Sequence, residues 1–278
     1  MYKILTKEKL TTSVGKMIIN APLVSKNALP GQFIILRVSC EGERIPLTIF
    51  EAKEGTITII YQVVGATTRL LDELEAGDYL CDVVGPLGEA TNLNLGKNII
   101  VIAGGLGCAI AYPLVKKMSK NGLDVTSIIG FRSKDLVILA NEFANSSKEF
   151  YLVTDDGSLG EKGLVTLPLE KLLKENSYDV VYCIGPLIMM KNVSLLTKKY
   201  GIKTIVSMNS LMVDGTGMCG GCRVTVGGKT KFACVDGPDF DGHLVDFDEA
   251  IKRLASYKTI EKKHDEHLCN LLKKVPNE

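Results

Sequence analysis

The sequence predicts a β plus α/β chain: an antiparallel β-barrel, then a doubly wound parallel sheet, then a small C-terminal domain built on a cysteine-bearing loop. Three observations carry that expectation. Residues 1–96 set short runs rich in Ile, Val and Thr between Gly, Pro and Asn, the pattern of a small barrel made of short strands. Residues 97–206 alternate strand-like and helix-like runs, the rhythm of a parallel sheet covered on both faces. Residues 207–278 open with a glycine-dense stretch holding three cysteines and close with a charged, amphipathic run.

In the first part, KMIINAPLV, GQFIILRVS, RIPLTIFEA and TITIIYQVV are the strand candidates. ATTRLLDELEAGD reads as a helix, with Thr67 or Thr68 as N-cap and Gly77 as terminator. From Lys97, NIIVIAGG is a buried strand running into glycines, and CAIAYPLVKKMSKNG is the helix after it. DVTSIIGFRS is the next strand and DLVILANEFANSS the next helix. EFYLVTDDGS, a short helix around PLEKLLKEN and the strand DVVYCIGP complete this part. The tail DEAIKRLASYKTIEKKHDEHLCNLLKK is helical by its apolar spacing, with Ile251, Leu254, Leu268 and Leu271 among its apolar residues.

A chain of 278 residues carries about two full cores. Its formal charge of +1, the lack of Trp and an aromatic content of 6% give no basic or base-stacking surface, so no nucleic-acid partner is expected. The N-terminal MYKILTKEKLTT has no signal-peptide core, and no run approaches the ~20 apolar residues of a membrane span, so a cytoplasmic location and no membrane partner are expected. Eight cysteines then suggest metal binding or buried thiols rather than disulfides. Cys40, Cys81, Cys108 and Cys183, in or beside apolar runs, read as small buried hydrophobes. Cys269 reads as incidental.

The cysteine loop runs Asp214-GTGM-Cys219-GG-Cys222-RVTVGGKTKFA-Cys234. This is the C-x4-C-x2-C…C spacing of a plant-type [2Fe–2S] site with Asp in the first position. Gly215, Gly217, Gly220 and Gly221 lie among the candidate ligands, where backbone must wrap closely around inorganic sulfur. A glycine-rich turn with incidental cysteines and a structural zinc site of three thiolates and a carboxylate are the competing readings. Gly104, Gly105 and Gly107, between a strand and a helix, form a candidate dinucleotide phosphate turn, or simply a tight turn. TDDGS and CIGP end two further strands at the edge where open α/β sheets bind ligands. In the barrel, Arg44 could pair with phosphate, Thr48, Thr67 and Thr68 offer hydroxyls, and Gly65 allows close backbone approach. The plain alternative there is a barrel strand with surface Thr and Arg.

Taken in order along nearly the whole chain, these motifs resemble the ferredoxin–NADP reductase superfamily, and within it the branch containing the dihydroorotate dehydrogenase B electron-transfer subunit. An Asp with three Cys is similar to the small-subunit family of NADH-dependent reduced ferredoxin:NADP oxidoreductases, whereas dihydroorotate-linked members use four Cys. The resemblance implies FAD in the barrel, NAD(H) on the parallel sheet and a [2Fe–2S] cluster on Asp214, Cys219, Cys222 and Cys234. The flavin motif R-x-[YF]-[ST] falls on Ile45-Pro46-Leu47-Thr48, with Pro46, Leu47 and Thr48 beside the isoalloxazine and ribityl groups and the Arg one place early, at Arg44. The second flavin motif falls on Ile60-Tyr61-Gln62-Val63-Val64-Gly65-Ala66-Thr67-Thr68, with Thr67 replacing a glycine. Gly104, Gly105, Gly107, Asp155, Asp156, Gly157, Gly185 and Pro186 match the nicotinamide motifs. Ile184 stands directly before Gly185, where relatives place Cys. The implied activity is an oxidoreductase subunit exchanging hydride between the nicotinamide and FAD and single electrons between FAD and the cluster. It would work with a larger flavin and iron–sulfur subunit and serve ferredoxin indirectly. An electron-transfer subunit of dihydroorotate dehydrogenase B and, more distantly, a nucleotide-binding regulatory module with structural zinc are the alternatives. NADP(H) also stays open: the second strand ends GFRSKD, where Arg132 and Lys134 could contact a 2′-phosphate, and no acidic ribose hook is evident.

Overall fold

The computed structural model describes residues 1–256. The first elements are β1 (Tyr2–Thr11), β2 (Val14–Asn20), α1 (Pro22–Asn27), β3 (Phe33–Arg37), β4 (Arg44–Thr48), β5 (Glu51–Lys53), β6 (Thr56–Gln62), α2 (Ala66–Glu73), β7 (Tyr79–Leu80) and β8 (Asp82–Leu87). Their strands form a five-stranded sheet, β5-β6-β2-β1-β7, and a three-stranded sheet, β4-β3-β8. Strand β3 is apolar along its length because both its faces are covered. Ile34 and Leu36 point into the barrel core with Ile4, Met17, Ile57, Ile59 and Tyr61, while Phe33 and Ile35 join the core of the second sheet.

The remaining elements are β9 (Asn98–Gly104), α3 (Gly107–Lys120), β10 (Asp124–Phe131), α4 (Ala140–Ser146), β11 (Glu149–Thr154), β12 (Glu161–Lys162), α5 (Thr166–Glu175), β13 (Val180–Ile184), α6 (Leu187–Lys199), β14 (Lys203–Ser207), β15 (Arg223–Val226), β16 (Lys229–Phe232), β17 (Asp239–Asp241) and α7 (Phe247–Ala255). Seven of these strands make one sheet ordered β12-β11-β10-β9-β13-β14-β17. Its pairs are parallel except the last, where β17 runs antiparallel to β14. The doubly wound sheet explains the continuous apolar run of β9. Ile99, Val101 and Ala103 pack under α3, and Ile100 and Ile102 pack on the opposite face with α5 and α6 residues. Complete burial of each such branched side chain contributes about 1.5–3 kcal/mol.

The cysteine-bearing segment joins that second core. Cys222, Val224, Ala233, Cys234, Phe240 and Phe247 are buried with Met208, Met212, Val206 and, from the barrel, Phe33 and Ile35. Glu89 N–H, at the end of the barrel, donates to the Gly237 carbonyl at 2.7 Å, and the Thr91 hydroxyl to Asp239 Oδ2 at 2.6 Å. Among the described residues no helix is long and apolar enough to cross a membrane.

Several local expectations are corrected. KMIINAPLV divides: its second half is helix α1, with Pro in the first turn, where the missing N–H removes no helical bond. The N-cap of α2 is Gly65 rather than Thr67 or Thr68. Thr68 instead sits in the first turn, and its hydroxyl accepts the N–H groups of Val64 and Gly65. That helix ends at Glu73, short of Gly77. DLVILANEFANSS becomes helical only from Ala140, after a short 3-10 turn at Lys134–Leu136 and a left-handed Leu139. Cys108 and Cys183 are buried thiols, but Cys40 and Cys81 are not small buried hydrophobes. They are joined as a disulfide with Cα atoms 5.4 Å apart, because β3 and β8 pair and bring residues 41 apart in sequence together. Cys269, Leu268 and Leu271 lie outside the described residues. The sequence pattern does not mark strands β1, β7, β8, β12, β14, β15, β16 and β17 or helix α6.

Candidate functional site

The candidate residues lie on the barrel, on the carboxyl edge of the parallel sheet and on the cysteine loop, and the loop rests on the β3–β8 face of the barrel through Gly215. On β4 the side chains alternate. Ile45 and Leu47 pack on the barrel core, so Arg44, Pro46 and Thr48 share the outer face, beside Arg37, Ile35 and Phe33 of β3. The Leu47 side chain, expected beside the flavin, therefore points into the barrel core. Arg44 Nη2 lies 3.3 Å from Asp82 Oδ2, and Arg37 Nη2 lies 3.5 Å from the same oxygen. Arg37 Nε is buried without a hydrogen-bond partner among the described residues, a donor left over on the face where an anionic cofactor would lie.

The second barrel motif divides by burial. Tyr61 is fully buried and its hydroxyl donates to Asp72 Oδ1 at 3.0 Å, so burial and that carboxylate push the phenol up. Ile60 packs at the junction with the parallel sheet and Gln62 is half-buried. The Tyr61 and Ile60 side chains are buried in the packing of the strand. The Thr67 hydroxyl, expected to contact a cofactor, donates to Glu43 Oε2 at 2.6 Å. Thr68 caps its own helix and donates to the Gly65 carbonyl at 2.9 Å. Gly65 is extended, and a Cβ added there would meet nothing within 4 Å. Among the described residues nothing crowds the Cβ side of Gly65, at the start of α2 where helical N–H groups lack intrahelical partners.

On the parallel sheet, β9 and β13 are adjacent although α3, β10, β11 and α5 lie between them in sequence. Their carboxyl ends form the switch point at which open α/β sheets bind ligands. Gly104, Gly105, Gly107, Gly185 and Pro186 all sit there. A Cβ on Gly107 would lie 2.3 Å from the Ile184 carbonyl oxygen, and one on Gly185 would lie 3.1 Å from Gly104 N. Gly107 is required by the contact of α3 with the end of β13, and Gly185 by its close approach to Gly104 and Met189, whatever binds. Gly105 differs: its φ is +55° and the space around it is open. Further along the edge, Asp156 Oδ1 accepts the N–H and hydroxyl of Ser158, which hold its carboxyl below the usual range. Ser158 in turn accepts Lys134 N–H at 2.7 Å, and Asp156 N–H meets the Arg132 carbonyl at 3.3 Å. The Asp155-Asp156-Gly157 turn and the Arg132–Lys134 loop are therefore one unit.

The cysteine loop packs directly on the β3–β8 face. A Cβ on Gly215 would lie 2.8 Å from Ile35 Cγ1 and 2.7 Å from Leu87 Cδ1. Ile35 is the register partner of Pro46, so the loop lies beside the outer face of β4. Asp214 Oδ2 accepts the Thr216 hydroxyl at 2.5 Å, Thr216 N–H at 3.0 Å and Met218 N–H at 3.2 Å. The Thr216 bonds chiefly, with Met218 N–H and the Arg44 charge adding to them, hold this carboxyl below the usual range. Cys219 is exposed, and Gly221 N–H 3.4 Å from its sulfur is the main influence lowering its pKa. Cys222 and Cys234 are buried with sulfurs 3.2 Å apart. Burial, then Cys222, pushes the Cys234 thiol up to about 12, so metal loading there must expel a proton.

Among the described residues no three His, Cys, Asp or Glu side chains already converge as a metal cage. The structure brings Cys222 and Cys234 into contact and leaves Asp214 and Cys219 on the adjoining turn. The donor set nonetheless fits an iron–sulfur cluster: three sulfurs and a carboxylate on a loop whose N–H groups point at sulfur. Cys234 N–H reaches Cys222 Sγ at 3.4 Å, and Gly215, Gly217 and Gly220 all have positive φ. Sequence reading missed Arg37, Glu43 and Asp82. Their link to the flavin motifs depends on strand register, and no local motif marks it.

Residues 209–246 match the iron–sulfur cluster binding domain of dihydroorotate dehydrogenase B, which favours the cluster over zinc. The chain is 46% identical over 264 residues to the dihydroorotate dehydrogenase B (NAD(+)) electron transfer subunit homolog of Thermotoga maritima, covering 94% of this chain and 93% of the relative. It is 34% identical to the dihydroorotate dehydrogenase B (NAD(+)) electron transfer subunit of Fusobacterium nucleatum, covering 80% and 89%. Among solved structures it is similar to a chain from the NADH-dependent reduced ferredoxin–NADP oxidoreductase described for flavin-based electron bifurcation. The TM-score is 0.91 at 43% identity, covering 97% of this chain and 98% of that one.

Proposed function

Because this chain belongs to the family of dihydroorotate dehydrogenase B electron-transfer subunits and their homologues, we propose that it links NAD(P)H to one-electron carriers as a flavin and iron–sulfur subunit of a larger oxidoreductase. FAD, when bound, converts between the two-electron hydride of a nicotinamide and the single electrons of a [2Fe–2S] cluster, and the protein supplies position and exclusion of water. The observation that carries this reading is adjacency: the loop bearing Asp214, Cys219, Cys222 and Cys234 rests through Gly215 on Ile35, next to the outer face of β4.

In this reading residues 1–96 hold FAD, 97–206 the dinucleotide and 207–278 the cluster. Arg44 and the open start of α2 at Gly65 take the pyrophosphate, Pro46 and Thr48 border the flavin ring, and Asp82 orients Arg44. Thr67 acts through Glu43, tying the two flavin motifs together. Gly105 and the α3 N-terminus receive the dinucleotide phosphates, with Asp155–Gly157 and Pro186 at the flanks. The pair Cys222 and Cys234 anchors the cluster from the buried side, and Asp214 and Cys219 close it from the exposed side. NAD(H) is the assigned nicotinamide, by likeness to the NAD(+)-linked relatives. The partner is a larger catalytic subunit, and the oxygen ligand at Asp214 favours a ferredoxin:NADP oxidoreductase complex over a dihydroorotate-oxidising one.

Anaerobic titration of the isolated protein with NADH and NADPH, following flavin absorbance, tests the assignment together with iron and acid-labile sulfide analysis. Flavin bleaching by NADH and two irons per chain are expected. A protein with zinc, no sulfide and no bleaching by either nucleotide would overturn it.

A further inference from the structure

The Cys40–Cys81 bridge closes the loop that leads into β4, and each of its neighbours touches the proposed flavin site. Arg37 Nη1 donates to the Cys40 carbonyl at 2.8 Å. Asp82, next in sequence to Cys81, lies 3.3 Å from Arg44 and 3.5 Å from Arg37. Glu43, between Cys40 and Arg44, accepts the Thr67 hydroxyl at 2.6 Å at the start of α2. Cys81 N–H also bonds the Val38 carbonyl at 3.1 Å, so the bridge and that bond clamp one end of the loop to β8. Cys40 is exposed and Cys81 half-buried. The Cα separation of 5.4 Å suits a bridge, and an accessible bridge closing a surface loop is of the labile, regulatory kind.

We propose that Cys40 and Cys81 are a redox-active pair: bridged, they hold the 38–44 loop so that Arg44 and Glu43 grip the flavin site, and a dithiol reductant opens the bridge and loosens FAD. A thiolate of the external dithiol attacks the exposed Cys40 Sγ, the S–S bond breaks, and Cys81 leaves as a thiolate that takes up a proton. The second thiol of the reagent then attacks the mixed disulfide and releases Cys40. The bridge gains two electrons and two protons, and the dithiol becomes a disulfide. The effect on FAD rests on the flavin site assigned above; the thiol chemistry does not.

The test uses the full-length protein, kept oxidised or treated with dithiothreitol, then alkylated and mapped by peptide mass. FAD dissociation is followed in parallel by the rise of free-flavin fluorescence. The Cys40 and Cys81 peptides should be cross-linked in the oxidised protein and separately alkylated after reduction. FAD release should be about tenfold faster from the reduced protein, the loss of one hydrogen bond to a charged group. Cys40→Ser and Cys81→Ser should release FAD at the reduced rate in both conditions. Free alkylation of both cysteines in the oxidised protein would overturn the pair itself. A normal cross-link with equal release rates in both states would overturn its control of FAD. A cross-link that opens normally in a protein that never binds FAD would instead remove the flavin assignment, and the control with it.

Discussion

Gly65→Ser separates the stability of the barrel from its hold on FAD. Gly65 is the N-cap of α2, with φ −158° and ψ 177°, an extended backbone that any residue adopts. A Cβ added there meets nothing within 4 Å. Among the described residues nothing therefore resists the serine, and its hydroxyl can accept a first-turn N–H that glycine leaves open. Serine caps better than glycine by a few tenths of a kcal/mol, so the flavin-free protein should unfold at the same or slightly higher urea concentration. The free N–H groups at this helix start are also the proposed pyrophosphate donors. Blocking one removes a hydrogen bond to a charged group, about 1.5–3 kcal/mol, or roughly a 10- to 150-fold weaker Kd for FAD. Flavin fluorescence quenching gives the affinity and urea melts of the apoprotein give the stability. Unchanged FAD affinity at unchanged stability would refute the placement of FAD at α2.

Gly107→Ala should act in the opposite sense, since its Cβ meets the backbone of Ile184 at 2.3 Å. A loss of about 1–3 kcal/mol, the cost of overpacking, is expected in urea melts, with weaker NADH binding by flavin bleaching. Asp214→Ala should leave the apo fold intact, because Asp214 is partly exposed and among the described residues accepts hydrogen bonds from its own turn alone, yet iron content should fall below two per chain. Retention of both irons with an unchanged electron paramagnetic resonance spectrum would remove Asp214 from the ligand set. Asp239 is raised by burial, opposed by its bonds from Thr91 and Ser207. Its folded pKa therefore exceeds the unfolded value, so the stability that Asp239 contributes is lost as pH rises from the unfolded carboxyl value of about 4. Asp239→Asn should remove that loss, and parallel urea-midpoint profiles from pH 4 to 8 would contradict the sign.

Sequence alone determined the features that local chemistry dictates. The buried strand β9, the strand character of β3, the glycine turn between β9 and α3 and the Asp-Cys-Cys-Cys spacing were legible from the sequence as elements and candidates. A strand buried on both faces must be continuously apolar, and a turn with φ of +55° at Gly105 calls for glycine. The same reasoning misplaced residues whose roles depend on neighbours distant in sequence. Tyr61 sits in the middle of a flavin motif yet belongs to the barrel core, because β6 is covered on both faces. Thr67 has the hydroxyl of a cofactor ligand and is bonded to Glu43. Cys40 and Cys81 read as buried thiols and form a bridge. Only strand register puts Asp82 against Arg44 and Ile35 beside Pro46 and under Gly215, and register is set by pairings across the whole barrel. Tertiary structure therefore decided which candidate side chains face a ligand and how near the cysteine loop lies to the barrel, since both are distances between chain segments whose separation no local motif encodes.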